Sequence, residues 1–246
     1  MNVIDASSRP PLDDPWLAMP VLNADHRRLA RSRIITLERS DPAHVAFDML
    51  RTKISKTMRQ NNWTTLAVTS PTSGCGKTTM ALNLAFSFAK HKDLRTVLVD
   101  LDLRRPEVAH ILGLKPKYST ERFLKGEAPV GHYFVRHGEN LAIGASSEPV
   151  VHAAELLQDR RTSETLDGLR QLLRPDLVIF DLPPMLVNDD LMGFLSNIDC
   201  VMLVAAADAS TIAEVDVCER ELAEDSKLLG VVLNKCRYQP DDYYYY

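Results

Sequence analysis

A chain of 246 residues is long enough for one substantial α/β domain with tails, and its 45% hydrophobic content is that of an ordinary soluble globular protein. The formal net charge of -4, from 29 Lys and Arg against 33 Asp and Glu, gives no electrostatic ground to expect nucleic acid or an anionic bilayer as the main partner. Cys75, Cys200, Cys218 and Cys236 lie far apart without CxxC pairing, which argues against a metal cluster and suits the reduced thiols of a cytosol.

Residues 1–40 carry Pro10, Pro11, Pro15 and Pro20 among charges without sustained periodicity, so the sequence predicts a flexible, extended or loosely docked arm. "MNVIDASSRPPLDDPW" is too polar for a signal peptide, and no apolar run nears the roughly 20 residues that span a bilayer, so work at a membrane would need a partner. Asp41 and Pro42 mark a helix start. Val45, Phe47, Leu50, Ile54 and Met58 follow near helical spacing, the mark of a helix on the core's edge.

From Trp63 the pattern changes to short apolar runs separated by helical stretches: "TTLAVTS", "RTVLVD", "NLAIGAS", "DLVIFD", "DCVMLVAAA" and "GVVLNK". Such alternation predicts a mostly parallel sheet with helices on both faces, spanning a domain of residues 41–236. The remaining residues, 237–246, read as a mobile tail ending in "DDYYYY".

"SPTSGCGKTT", Ser70 to Thr79, joins the first of these strands to a helix. A strand, glycine-bearing turn and helix in this order aim backbone N–H groups and a positive helix end at one point, which suits a phosphate chain. Ser73, Gly74, Cys75, Gly76, Lys77, Thr78 and Thr79 are therefore expected to contact a nucleotide. Lys77 would reach the β- and γ-phosphates, and the Thr78 hydroxyl would ligate Mg²⁺. Pro71 stands where the usual motif has its first glycine, so this is a variant P-loop; an ordinary strand-to-helix turn is the bland alternative, and Cys75 reads as a tolerated small loop residue.

In "VLVDLDLRRP", Asp100 and Asp102 fall at the carboxyl end of a strand, the edge where α/β sheets assemble ligands. Two carboxylates there can hold Mg²⁺ through its waters, and one can accept a proton from an attacking hydroxyl; alone, they could equally cap the next helix. Asp181 in "LVIFDLPPML" ends another strand and is expected in the metal's outer shell opposite Thr78.

Together these motifs resemble the bacterial tyrosine kinases of capsule and exopolysaccharide systems, the BY-kinases, over about residues 41–246. "SPTSGCGKTT", "VLVDLDLRRP" and "VIFDLPP" stand for the family's three nucleotide motifs, "GLKPKYSTERFLKGEAP", "ELLQDRR" and "GVVLNK" extend the similarity, and Tyr243 to Tyr246 match its terminal tyrosine cluster. The resemblance implies a P-loop ATP phosphotransferase that modifies its own Tyr243, Tyr244, Tyr245 and Tyr246. Lys77, Asp100 and Asp102 would be catalytic, with Asp100 the base, Thr78, Asp102 and Asp181 would organise Mg²⁺, and Asn234 would lie near the adenine. It further implies self-association with transfer between subunits and a membrane-anchored activator that recruits the kinase to the inner face of the cell membrane. Where the family carries a glutamate and an arginine in the helix that packs its rings, this chain has Val45 and Asp48, though Arg51 remains.

Two rivals share these residues. A positioning ATPase of the ParA or MinD type would carry a signature lysine where Thr72 stands. A nucleotide-controlled, non-catalytic scaffold would lack a motif residue, yet Lys77, Thr78, Asp100, Asp102 and Asp181 are all present.

Overall fold

The computed structural model describes residues 14–37, 41–225 and 227–236. Tyr243 to Tyr246 and the first part of the expected arm, residues 1–13, lie outside the described residues.

Seven strands form one sheet: β1 (Thr65–Thr69), β2 (Thr96–Asp100), β3 (Phe134–His137), β4 (Leu141–Gly144), β5 (Leu177–Asp181), β6 (Cys200–Ala206) and β7 (Leu228–Asn234). Their spatial order is β3-β4-β2-β5-β1-β6-β7, parallel throughout except where β3 meets β4. The expected P-loop NTPase architecture is thus borne out. β1, β2 and β5 are buried on both faces, which is why they read as unbroken apolar runs rather than as alternation. Val97, Val99 and Phe180 pack into one core, and Leu98, Ile179 and Val68 into the core on the opposite face.

Among the described residues there are ten α-helices, α1 (His26–Arg31), α2 (His44–Asn61), α3 (Lys77–Ala89), α4 (Val108–Leu112), α5 (Thr120–Leu124), α6 (Val130–Tyr133), α7 (Ala153–Gln158), α8 (Arg160–Leu173), α9 (Asp190–Phe194) and α10 (Ile212–Glu224). Local chemistry sets several ends. Asp159 caps α8 through the Arg161 N–H, and α8 stops at a left-handed Arg174 that precedes Pro175. Thr211 and Glu214 form a reciprocal capping box at the start of α10. In α2, Ile54 and Met58 are buried as the spacing predicts, whereas Val45 is 39% exposed. Arg51 is buried and turns inward: its guanidinium pairs with Asp48 at 2.7 Å and donates to the Ser87 carbonyl and hydroxyl at 2.9 Å, tying α2 to α3.

Two readings need correction. The antiparallel β3 is absent from the six expected strands, because its four residues follow α6 with no intervening turn signal; the turn at Gly138, φ +63°, joins it to β4. More substantially, residues 14–37 are no loose arm. Trp16 is completely buried, donates its indole N–H to the Leu173 carbonyl at 2.8 Å and lies under the Arg95 guanidinium. Pro20 and Leu22 exchange backbone bonds with Arg136 of β3 at 2.8 and 2.7 Å, covering that sheet edge. Leu22, Leu29 and Ile34 then enter the opposite core. The apolar residues are spaced for an irregular strap rather than for a helix or strand, so periodicity does not reveal it.

Candidate active site

The chain leaves β1 through Ser70 and re-enters helical geometry at Lys77. Gly74 and Gly76 take φ of +83° and +91°, a left-handed region costly to residues with a Cβ, so the turn can wrap closely at both points. At Gly76 space matters as well: a Cβ there would lie 2.4 Å from Asn234 Nδ2. Pro71, in place of the motif's first glycine, accepts a hydrogen bond from the Leu186 N–H at 3.0 Å, and Ser70 accepts from Met185 at 2.9 Å. The segment after β5 thereby backs the turn.

A cleft of about 800 Å³ opens beside this turn, bordered by Ser73, Gly74, Gly76, Lys77, Thr78, Thr79, Asp102, Arg104, Arg105, Glu107, Pro183, Pro184, Val187, Asn188 and Lys235. The parallel register carries Val68, Asp181 and Asp100 to one level at the carboxyl edge, which is how three distant segments converge. Lys77 Nζ lies 2.6 Å from Asp102 and 3.5 Å from Asp181. Burial alone would lower the Lys77 pKa, but Asp181 and Asp102 outweigh it and raise it, so the lysine stays charged.

Asp181 is wholly buried, and neither carboxylate oxygen has a well-aligned hydrogen-bond donor. Burial raises its pKa, with Lys77 opposing. Asp100 is also wholly buried; burial and then Asp181 raise its pKa, while its oxygens accept from the backbone N–H groups of Asp102 at 3.2 Å and Val108 at 3.0 Å.

Among the described residues no group of three or more His, Cys, Asp or Glu could cage a metal by itself. Mg²⁺ does not ask for such a cage: it keeps waters and binds through one or two carboxylates with substrate phosphates. The Thr78 hydroxyl, the Asp102 carboxylate beside the cleft and the unsatisfied oxygens of Asp181 behind it fit that demand.

Of the expected nucleotide contacts, Ser73, Gly74, Gly76, Lys77, Thr78 and Thr79 border the cleft, and Cys75 and Asn234 do not; of the expected catalytic and metal-organising acids, Asp102 borders it, and Asp100 and Asp181 do not. Cys75 is wholly buried, its thiol turned inward to the Thr72 carbonyl at 3.3 Å. Asn234 donates to the Cys75 carbonyl at 2.8 Å and so buttresses the turn from behind. Asp100 sits one layer behind the wall formed by Asp102. Sequence reasoning missed Arg104, Arg105 and Lys235. The first two follow the paired acids directly, a signal that was available. Lys235 joins the site only because β7 ends beside the P-loop, where its Nζ donates to the Gly74 carbonyl at 2.7 Å.

A model of the CobQ/CobB/MinD/ParA nucleotide binding domain matches residues 66–243. Over 173 residues the chain is 31% identical to the tyrosine-protein kinase CpsD of Streptococcus pneumoniae serotype 4, covering 69% of this chain and 75% of that one. The chain belongs to the bacterial tyrosine-protein kinases of this nucleotide-binding family. Another member, the longer tyrosine-protein kinase etk of Escherichia coli, is 26% identical over 79% of this chain, which spans only 27% of etk's length. The kinase domain of the Escherichia coli tyrosine kinase ETK shares the fold at a TM-score of 0.76 and 24% identity, covering 87% of this chain and 84% of that domain. Cobyrinic acid a,c-diamide synthase from Mycobacterium smegmatis, solved with a bound ATP analog and magnesium, shares the fold at 0.55 and 22% identity, with 70% and 74% covered. The family model also takes in the MinD and ParA proteins weighed as rivals; the similarity to CpsD decides for the kinase. Among the described residues no helix is long and apolar enough to cross a membrane.

Proposed function

We propose that this kinase transfers the γ-phosphoryl group of ATP to tyrosine hydroxyls and that its own Tyr243 to Tyr246 are substrates. One contact carries the reading: Lys235, where the chain leaves β7, is bonded to Gly74 of the phosphate-binding turn, so the tail starts at the rim of the cleft. Residues 236–246 can extend roughly 35 Å, enough to enter this cleft or that of a neighbouring copy, and transfer between copies is the mode we favour.

When bound with ATP, Mg²⁺ neutralises charge developing on the transferred phosphoryl group. Thr78 and Asp102 would hold it from the cleft side and Asp181 from behind, while Lys77 exchanges its carboxylate partners for phosphate oxygens. Tyrosine's ordinary pKa is near 10, so about one in a thousand is ionised at pH 7 and an acceptor carboxylate is needed. Asp100 is the acceptor we favour, its burial raising its pKa and so its basicity. It can meet a tyrosine only when the turn at residues 101–105 opens. Each phosphate adds about -1.5 to -2 charges to a tail that already holds Asp241 and Asp242, so modification should repel tails from the site and loosen assemblies. A membrane-anchored activator would bring the kinase to the inner face of the membrane, where it would regulate capsule or exopolysaccharide synthesis and export.

Incubation with Mg²⁺ and labelled ATP, alone and with candidate activators, tests this reading. Label should enter tyrosine, vanish in Lys77→Met and fall sharply when Tyr243 to Tyr246 are all changed to Phe. Label on serine, or undiminished label in the Phe variant, overturns it.

A further inference from the structure

Four cations border the cleft, and three are committed. Lys77 rests on Asp102 and Asp181. Arg104 grips the wholly buried Asp190 with two bonds, Nε to Oδ2 at 2.8 Å and an Nη to Oδ1 at 2.9 Å. Lys235 donates to Gly74.

Arg105 is the exception. It is exposed, and its guanidinium has no acidic or hydrogen-bonding partner among the described residues. Glu107, which also borders the cleft, makes no ion pair with it. The arginine's position is nevertheless fixed, because its backbone N–H donates to Asp102 Oδ1 at 3.1 Å, the carboxylate whose other oxygen meets Lys77. A committed backbone and an uncommitted head leave one positive charge available at the border of the cleft.

We propose that Arg105 reads acidic residues on the N-terminal side of the target tyrosine, so that the preferred substrate is an acid-flanked tyrosine peptide. The proposal rests on the kinase reading above and names its substrate class. Complementarity lies within the chain itself, since Asp241 and Asp242 immediately precede Tyr243. A tyrosine hydroxyl directed at Lys77 leaves the residues just before it within reach of a long arginine side chain, where a carboxylate can accept two parallel hydrogen bonds. An isolated, partly solvated pair of this kind gives selectivity more than affinity, and salt should weaken it.

The experiment compares kcat/KM for three synthetic peptides, each with four tyrosines preceded by two aspartates, two asparagines or two lysines. The native chain should favour the aspartate peptide over the asparagine one by about fivefold or more at low salt, with the ratio shrinking at high salt. Arg105→Ala should bring the ratio close to one, Arg105→Lys should retain part of it, and Arg105→Glu should favour the lysine peptide. Thermal midpoints of the three variants separate lost recognition from lost folding. Equal use of the aspartate and asparagine peptides by the native chain, or an unchanged ratio in Arg105→Ala and Arg105→Glu, overturns this inference alone. A raised KM for ATP with an unchanged peptide ratio also overturns it and makes Arg105 a nucleotide contact. If no tyrosine is labelled in any peptide or in the intact chain, the kinase reading falls and this inference falls with it.

Discussion

Lys77 Nζ and an Asp102 carboxylate oxygen meet at 2.6 Å on the wall of the cleft, with Asp181 3.5 Å from the same nitrogen. The cation proposed to face phosphate is here the counter-charge of the acids proposed to organise the metal. Were nucleotide and metal to bind as proposed, Lys77, Asp102 and Asp181 would each gain a new ionic partner in place of the old, without a buried charge being stranded.

Removing the lysine should accordingly cost stability as well as activity. Lys77→Met leaves Asp102 and the buried Asp181 without their cation, a loss of about 3–5 kcal/mol at neutral pH by the rule for broken buried pairs. Urea denaturation should show it. The deficit should shrink as the pH falls, because the stranded Asp181, whose pKa burial already raises, takes up a proton.

Asp181→Asn should separate stability from function. Burial raises the Asp181 pKa, and a carboxyl raised in the folded state contributes stability that is complete below its unfolded value, near 4, and is lost as pH climbs through the folded value. The asparagine has no such loss, so the variant should gain stability relative to the native chain as pH rises towards 7 and show no such gain below about pH 4. Calorimetry across that range checks the sign. With Asp181 in the metal-organising role proposed for it, phosphoryl transfer should meanwhile fall at least about tenfold.

Gly74 and Gly76 should respond unequally to alanine. Both pay for a left-handed backbone, but only at Gly76 does the new methyl collide with Asn234, so Gly76→Ala should weaken ATP binding far more. Asn234→Ala, which removes the bond to the Cys75 carbonyl, should weaken ATP and GTP alike by roughly three- to tenfold, one hydrogen bond's worth. A loss confined to ATP would instead make Asn234 an adenine contact. Calorimetric titration with the two nucleotides distinguishes them.

Much of this architecture is written locally. The buried runs ending at Thr69, Asp100 and Asp181 announce parallel strands, and the glycine-rich turn before Lys77 announces the phosphate site, because each needs a particular residue type at a fixed offset. What escaped is non-local. Nothing near Asn234 says that it will press on Gly76, and nothing near Asp100 says that Asp102 will stand between it and the cleft. Trp16 sits among prolines and charges, and only the distant Leu173 carbonyl explains its burial.

Trp16→Ala should therefore behave as a core substitution despite its place near the start of the chain. It removes a fully buried indole and its hydrogen bond, which should cost about 3–5 kcal/mol while leaving nucleotide affinity near normal, as denaturation and titration of one sample will show.

The strap that begins with Trp16 ends on α3. Asn83 takes the backbone N–H groups of Ile35 and Thr36 at 2.8 and 3.1 Å on its side-chain oxygen and donates to the Arg33 carbonyl at 2.9 Å. Lys77 opens that same helix about 9 Å away along its axis. A tug on residues 33–36 would reach Lys77 as a lever's far end feels its near one, through a stiff helical shaft and without passing through the cleft.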